Sequence, residues 1–216
     1  MKKFGCTILA LGLLVAVAVS SQTAVADTVT LTFVGVGGPN SGGVYTYPYE
    51  FRVNGGSVVP LMCVSYGQEI YQQSPYEQWQ ANVESISTTV QKEEAYLYSQ
   101  ALSSPFGSQA AANAQWAAWE VGDPALVGSL PGGLDNAGIT NDYDNALAWV
   151  LANPNETYSD FTLYVPIDGT QNNGDTLPQT FITETPEPSS LMLFGSGLLG
   201  LAVVLFRKAT PSGTLT

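Results

Sequence analysis

The chain of 216 residues contains no histidine. That absence removes the Ser-His-Asp triad, the Cys-His pair, His-ligated zinc and imidazole acid–base chemistry near neutral pH. Cations are also scarce: six Lys and Arg stand against 18 Asp and Glu, for a net charge of −12. Such a chain lacks the cationic footprint that phosphates require, so no nucleic-acid partner is expected. Only 11% of the residues are charged. The surface is polar through amides and hydroxyls more than through charge. Cysteine is limited to Cys6 and Cys63.

What is present is concentrated at the two ends. Lys2 and Lys3 precede an apolar run over residues 4–19, and Ala24-Val25-Ala26 stands before Asp27. Positive start, short apolar stretch and small-residue site predict a secretory signal peptide over residues 1–26. Cys6 precedes the apolar stretch, which argues against lipoprotein-type processing. Near the other end, residues 189–206 are uncharged, Leu-rich and contain three glycines. As a helix they would reach about 27 Å, close to the ~30 Å hydrocarbon core. A transmembrane helix is expected there, with Arg207 and Lys208 holding a tail over residues 207–216 on the cytoplasmic side.

The exported part carries 18 acidic residues against Arg52 and Lys92 alone, a net −16. Only Cys63 remains in it, so it has no internal disulfide. Residues 28–36 alternate Val29, Leu31 and Phe33 with threonines, predicting a half-buried strand. Residues 44–53 read as a second strand, in which Pro48 marks an edge position. Asn54-Gly55-Gly56 is a hairpin signal, followed by a third strand over residues 57–65. Helices are expected over 77–90, 92–102, 109–121 with Ser108 as N-cap, and 143–152 capped by Asn141 or Asp142. Residues 161–167 return to strand, and 180–183 are a last strand or linker. This order predicts an α+β domain over residues 27–180, a β-sandwich or partial barrel with a helical insertion, then a Pro-rich linker over 181–188. The glycines at 35, 37 and 38 do not lead into a helix, so they form a turn and not a phosphate loop. No cofactor is implied.

The segment before the apolar span reads Thr185-Pro186-Glu187-Pro188-Ser189-Ser190, then the Gly-containing span, then Arg207-Lys208. It resembles the PEP-CTERM sorting signal of Gram-negative bacteria: a Pro-Glu-Pro box (Pro186, Glu187, Pro188), a membrane helix and a basic stop. The resemblance implies processing by an exosortase, an inner-membrane anchor before processing, and later placement at the cell surface or in an exopolysaccharide matrix. Both prolines keep the approach to the span extended and open to a processing enzyme.

Leu61-Met62-Cys63-Val64 and the later Gln115-Trp116-Ala117-Ala118-Trp119 form a second pattern. Together they resemble bacterial thioester domains, although Ser65 stands where that family often has Asp. The resemblance implies an internal bond between Cys63 and Gln115 on an adhesin-like domain. The thiolate displaces ammonia from the carboxamide, and an amine of a partner then attacks the acyl group, with no histidine needed. The plainer alternative is a small buried hydrophobe at Cys63, with Gln115 an ordinary helix residue and Trp116 and Trp119 packing on the core.

Other candidates point to weaker chemistry. Residues 141–145 (Asn-Asp-Tyr-Asp-Asn) offer oxygen ligands but lack the glycine and closing glutamate of a calcium loop, so capping explains them better. Asp168 to Asp175 reads as a turn. Glu93-Glu94 and Glu120 with Asp123 are candidate acid–base pairs, read first as solvated helix charges and caps. Tyr45, Tyr47 and Tyr49 would share one strand face, as a sugar platform or as sheet packing. The expected function is a non-enzymatic surface protein, with a thioester that captures a surface-protein amine. An inert exopolysaccharide-associated structural protein and a carboxylate hydrolase are the alternatives. No metal site is expected.

Overall fold

A computed structural model describes residues 27–68, 78–168, 177–185 and 197–198. Its centre is a closed six-stranded barrel plus three helices, α+β overall. The strands are β1 (Thr28–Val36), β4 (Tyr49–Val53), β5 (Val58–Cys63), β6 (Gln78–Ser85), β7 (Phe161–Pro166) and β8 (Phe181–Glu184). They pair antiparallel in the order β1-β4-β5-β8-β7-β6, and β6 returns to β1. A separate two-stranded ribbon joins β2 (Asn40–Ser41) to β3 (Val44–Tyr45). Helices α1 (Thr89–Ser103), α2 (Gln109–Gly122) and α3 (Asn136–Ala152) are inserted between β6 and β7. They pack on one another, and α1 also packs on β8.

The sheet closes, where an open sandwich or partial barrel was expected, because of β6. The sequence predicts a helix over residues 77–90, after Ser74-Pro75. Over 78–85, however, Trp79 and Ala81 are buried while Gln78 and Gln80 are not. That is a period of two, and it fits between β1 and β7 with Leu31 opposite Trp79 and Val83 opposite Tyr164. Val29, Leu31 and Phe33 of β1 point inward as the alternation predicted. Phe51 gathers Phe33, Trp79 and Phe181 around it at ring-centroid distances of 5.3, 5.5 and 4.6 Å. Those spacings are typical of favourable aromatic pairs.

Pro48 is not on an edge. It precedes β4, which is paired on both sides, and its carbonyl accepts the Gly37 N–H at 2.9 Å. The folded part of the chain extends past residue 180: of the two expectations for 180–183, strand or linker, the strand holds, and β8 at 181–184 completes the barrel between β5 and β7.

Helix α1 starts at a capping box in which Thr88 and Gln91 satisfy each other's backbone N–H groups. Ser108 caps α2 as predicted. Helix α3 begins at Asn136, seven residues before the expected start at 143. Asp135 accepts the N–H of Gly138 and so caps it, while Asn113 on α2 donates to the same carboxylate at 2.8 Å. Residues 141–145 therefore lie inside α3 and cap nothing. A Cβ at Gly138 would overlap Asn113 Nδ2 and Asp135 Oδ2, so a larger residue there would push that hydrogen-bonded pair apart. Among the described residues no helix is long and apolar enough to cross a membrane. The expected signal peptide (1–26) and tail (207–216) lie outside the described residues, as does the membrane span (189–206) except Gly197 and Leu198.

Candidate functional site

Strand β5 ends in Leu61, Met62 and Cys63, all fully buried. Three consecutive buried residues mean that both faces of the strand are covered. Cys63 stands opposite Phe181 and so shares the inward, aromatic face of the barrel. Helix α2 comes against this strand end through small residues. Ala111, Ala114, Ala117 and Ala118 are all at most 1% exposed, which lets backbone and side chains approach closely.

Gln115 lies in the middle of α2, fully buried. Its Nε2 donates to the carbonyl oxygen of Cys63, across 52 positions of chain. Its Oε1 is buried and accepts no hydrogen bond. One turn further on, Trp119 Nε1–H donates to Cys63 Sγ at 3.4 Å. The thiol in turn points at the carbonyl of Ser65 at 3.5 Å. The structure thus brings the two predicted site residues together. It places Trp116 and Trp119 beside them as an apolar wall, with ring centroids 4.9 Å apart and Tyr66 packed on both. Gly42 of the β2–β3 ribbon presses on Trp116, where a Cβ would stand 2.9 Å from the ring.

Burial pushes the Cys63 thiol up to about 12. Hydrogen bonds from Trp119 and to Ser65 work against this, and the Glu94 carboxylate nearby adds to it. Glu94 was read as a solvated charge, but it is 5% exposed, and burial followed by the Glu93 charge raises its pKa to about 8. Its position on α1 carried a signal. Residues 94, 97, 98 and 101 form one helical stripe, and Leu97, Tyr98 and Ala101 are core. Glu94 lines a cavity of about 530 Å³ together with Val64, Ser65, Tyr66, Asp123 and Thr180.

The remaining candidates separate. Glu93 and Glu120 are also buried, and burial raises both their pKa values, whereas Asp123 caps the turn at Pro124–Leu126. Tyr47 and Tyr49 are buried while Tyr45 is 52% exposed, so the three form no shared platform. Asp168 accepts the backbone N–H of Gln80, and residues 169–176 lie outside the described residues. No group of three or more His, Cys, Asp or Glu among the described residues is placed to hold a metal.

Pro186, Glu187 and Pro188 lie outside the described residues, so the sorting segment is characterised by its sequence. No curated protein matches the chain. A family model does match over residues 184–208, the PEP-CTERM protein-sorting motif. The chain therefore carries the sorting signal of an exported protein that is anchored in the membrane and then processed by an exosortase.

Proposed function

We propose that the exported domain is a non-enzymatic adhesion module whose Cys63 and Gln115 join in an internal thioester for covalent attachment to an amine-bearing partner. The observation that carries this reading is the Gln115 carboxamide: fully buried, held by its nitrogen on Cys63, and with its oxygen unsatisfied. A buried amide acceptor with no donor costs about 1–3 kcal/mol, and a helix so rich in alanine has no packing need for a glutamine there. As a reactant, the carboxamide has a purpose. Cys63 Sγ adds to its carbon, the C–N bond breaks, and the thiol proton leaves with the nitrogen as ammonia. The apolar wall of Trp116, Trp119 and Tyr66 would shield the product from water.

The burial that holds the Cys63 thiol up near 12 favours a second reading, an inert structural protein of the surface matrix with a packed cysteine. Intact mass of the full chain, produced by export and purified in detergent, separates the two. The thioester predicts a loss of one ammonia, uptake of one methylamine per chain, and neither change in Cys63→Ala. An unmodified mass with a thiol that titrates on unfolding returns the domain to the inert reading.

A further inference from the structure

The end of the barrel fixes where the anchored chain meets the bilayer. Thr185, the residue after β8, donates its backbone N–H to the carbonyl of Asp160 at 2.6 Å. Its hydroxyl pairs with that of Thr162 at 2.6 Å. The membrane span is expected to start at residue 189, four positions on, which is at most about 14 Å of extended chain. The rim of the barrel at Thr185 is therefore tethered close to the lipid headgroups. Glu184 stands opposite Phe161 at this rim, whereas Cys63 and Phe181 face each other at the other.

Beside that exit the surface is aromatic. Tyr158 and Phe161, on either side of Asp160, line a cleft of about 350 Å³ with Tyr96 of α1 and Trp149 of α3. The rings of Tyr96 and Trp149 stack at a centroid distance of 5.6 Å and an interplanar angle of 26°. Trp149 is 43% exposed, while Trp79, Trp116 and Trp119 are at most 2% exposed. The exposed indole of the chain thus lies on the side from which the anchor departs. Tryptophan and tyrosine favour the membrane–water interface, where an apolar ring and a polar edge are both accommodated. Glu156 lines the cleft and Asp160 borders it, so anionic headgroups add no attraction and the contact depends on the rings.

We propose that in the unprocessed, anchored chain this cleft docks on the interfacial layer of the bilayer, with the Trp149 and Tyr96 rings at headgroup level. Docking there turns the opposite rim, with Cys63, away from the membrane and toward external partners. This orientation depends on the anchor and the fold alone, whether or not Cys63 bonds to Gln115.

Tryptophan emission of the full exported chain in nanodiscs of zwitterionic phosphatidylcholine tests the surface. Brominated phosphatidylcholine quenches indoles at the membrane, and aqueous acrylamide quenches those open to water. In brominated discs the wild type should lose the emission of one tryptophan in four, and Trp149→Phe should lose none. Quenching of Trp149 by acrylamide and not by the lipid overturns the proposal. Protection from both overturns it too, because the cleft then holds another occupant, such as a glycan. Gln78 is exposed at the start of β6, at the far rim. Gln78→Trp in the Trp149→Phe background should stay unquenched by the lipid, and its quenching overturns the orientation. Should Trp149→Phe fail to fold, Trp149→Tyr serves in its place with the same expected outcomes.

Discussion

Gln115 Nε2 and the carbonyl oxygen of Cys63 are hydrogen-bonded in the interior, joining the middle of α2 to the last residue of β5. Helix and barrel are thereby fastened at the point where the helical insertion meets the sheet. A covalent bond between the same two residues would close a loop of 52 positions. In the chain-entropy treatment such a closure contributes about 4 kcal/mol.

That figure makes the pair testable by stability alone. If the bond forms, Cys63→Ala and Gln115→Leu each lose the loop constraint, and the double variant loses little more than either single one. The expected coupling in a double-mutant cycle, followed by urea unfolding, is on the order of 3–4 kcal/mol. If the residues only pack, the coupling stays near the ~1 kcal/mol of one hydrogen bond.

Trp119 has two roles that different substitutions separate. Trp119→Phe keeps most of the ring and removes the N–H that reaches Cys63 Sγ at 3.4 Å. Its expected cost is about 1 kcal/mol, with a further rise in the thiol pKa because a lowering contact is gone. Trp119→Ala should cost about 3–5 kcal/mol, since the ring is 2% exposed and packs on Trp116 and Tyr66. Thermal denaturation with thiol titration measures both.

Glu94 sets a pH dependence of definite sign. Its folded pKa, near 8, lies above the ordinary value of 4.5. Between those values the folded chain binds more protons than the unfolded chain, so stability falls as pH rises from about 4.5 to about 8 and levels off above. Glu93 and Glu120 are shifted the same way and add to the slope. Glu94→Gln should flatten the profile and make the variant more stable than wild type at pH 8. Urea midpoints across that range provide the check.

At the start of α3, Asp135 caps the helix and accepts from Asn113. Asp135→Ala should cost about 1–2 kcal/mol, a typical loss for an N-cap. Gly138→Ala should destabilise as well, because its Cβ displaces the hydrogen-bonded Asn113 and Asp135 side chains. Helical content followed during heating reads both effects.

Much of the barrel was legible from local pattern. The alternation of β1, the hairpin signal before β5 and the Ser108 cap of α2 are short-range features, and each appears where it was expected. Residues 78–85 form a strand where a helix after Ser74-Pro75 is expected. The stronger influence came from pairing with β1 and β7, whose residues lie about 50 and 85 positions away. Glu94 misled for a related reason. A charged residue on a helix is usually solvated, and its burial depends on the elements that surround it.

The sorting segment, the acidity and the absence of histidine chemistry are properties of composition and residue order, so they were available before any folding was considered. The meeting of Cys63 with Gln115, the cavity at Glu94 and the closure of the sheet arise between segments far apart in the chain. They depend on the barrel returning β6 to β1 and on an alanine-lined helix coming close to β5. Long-range packing of that kind is cooperative, and no window of sequence contains it.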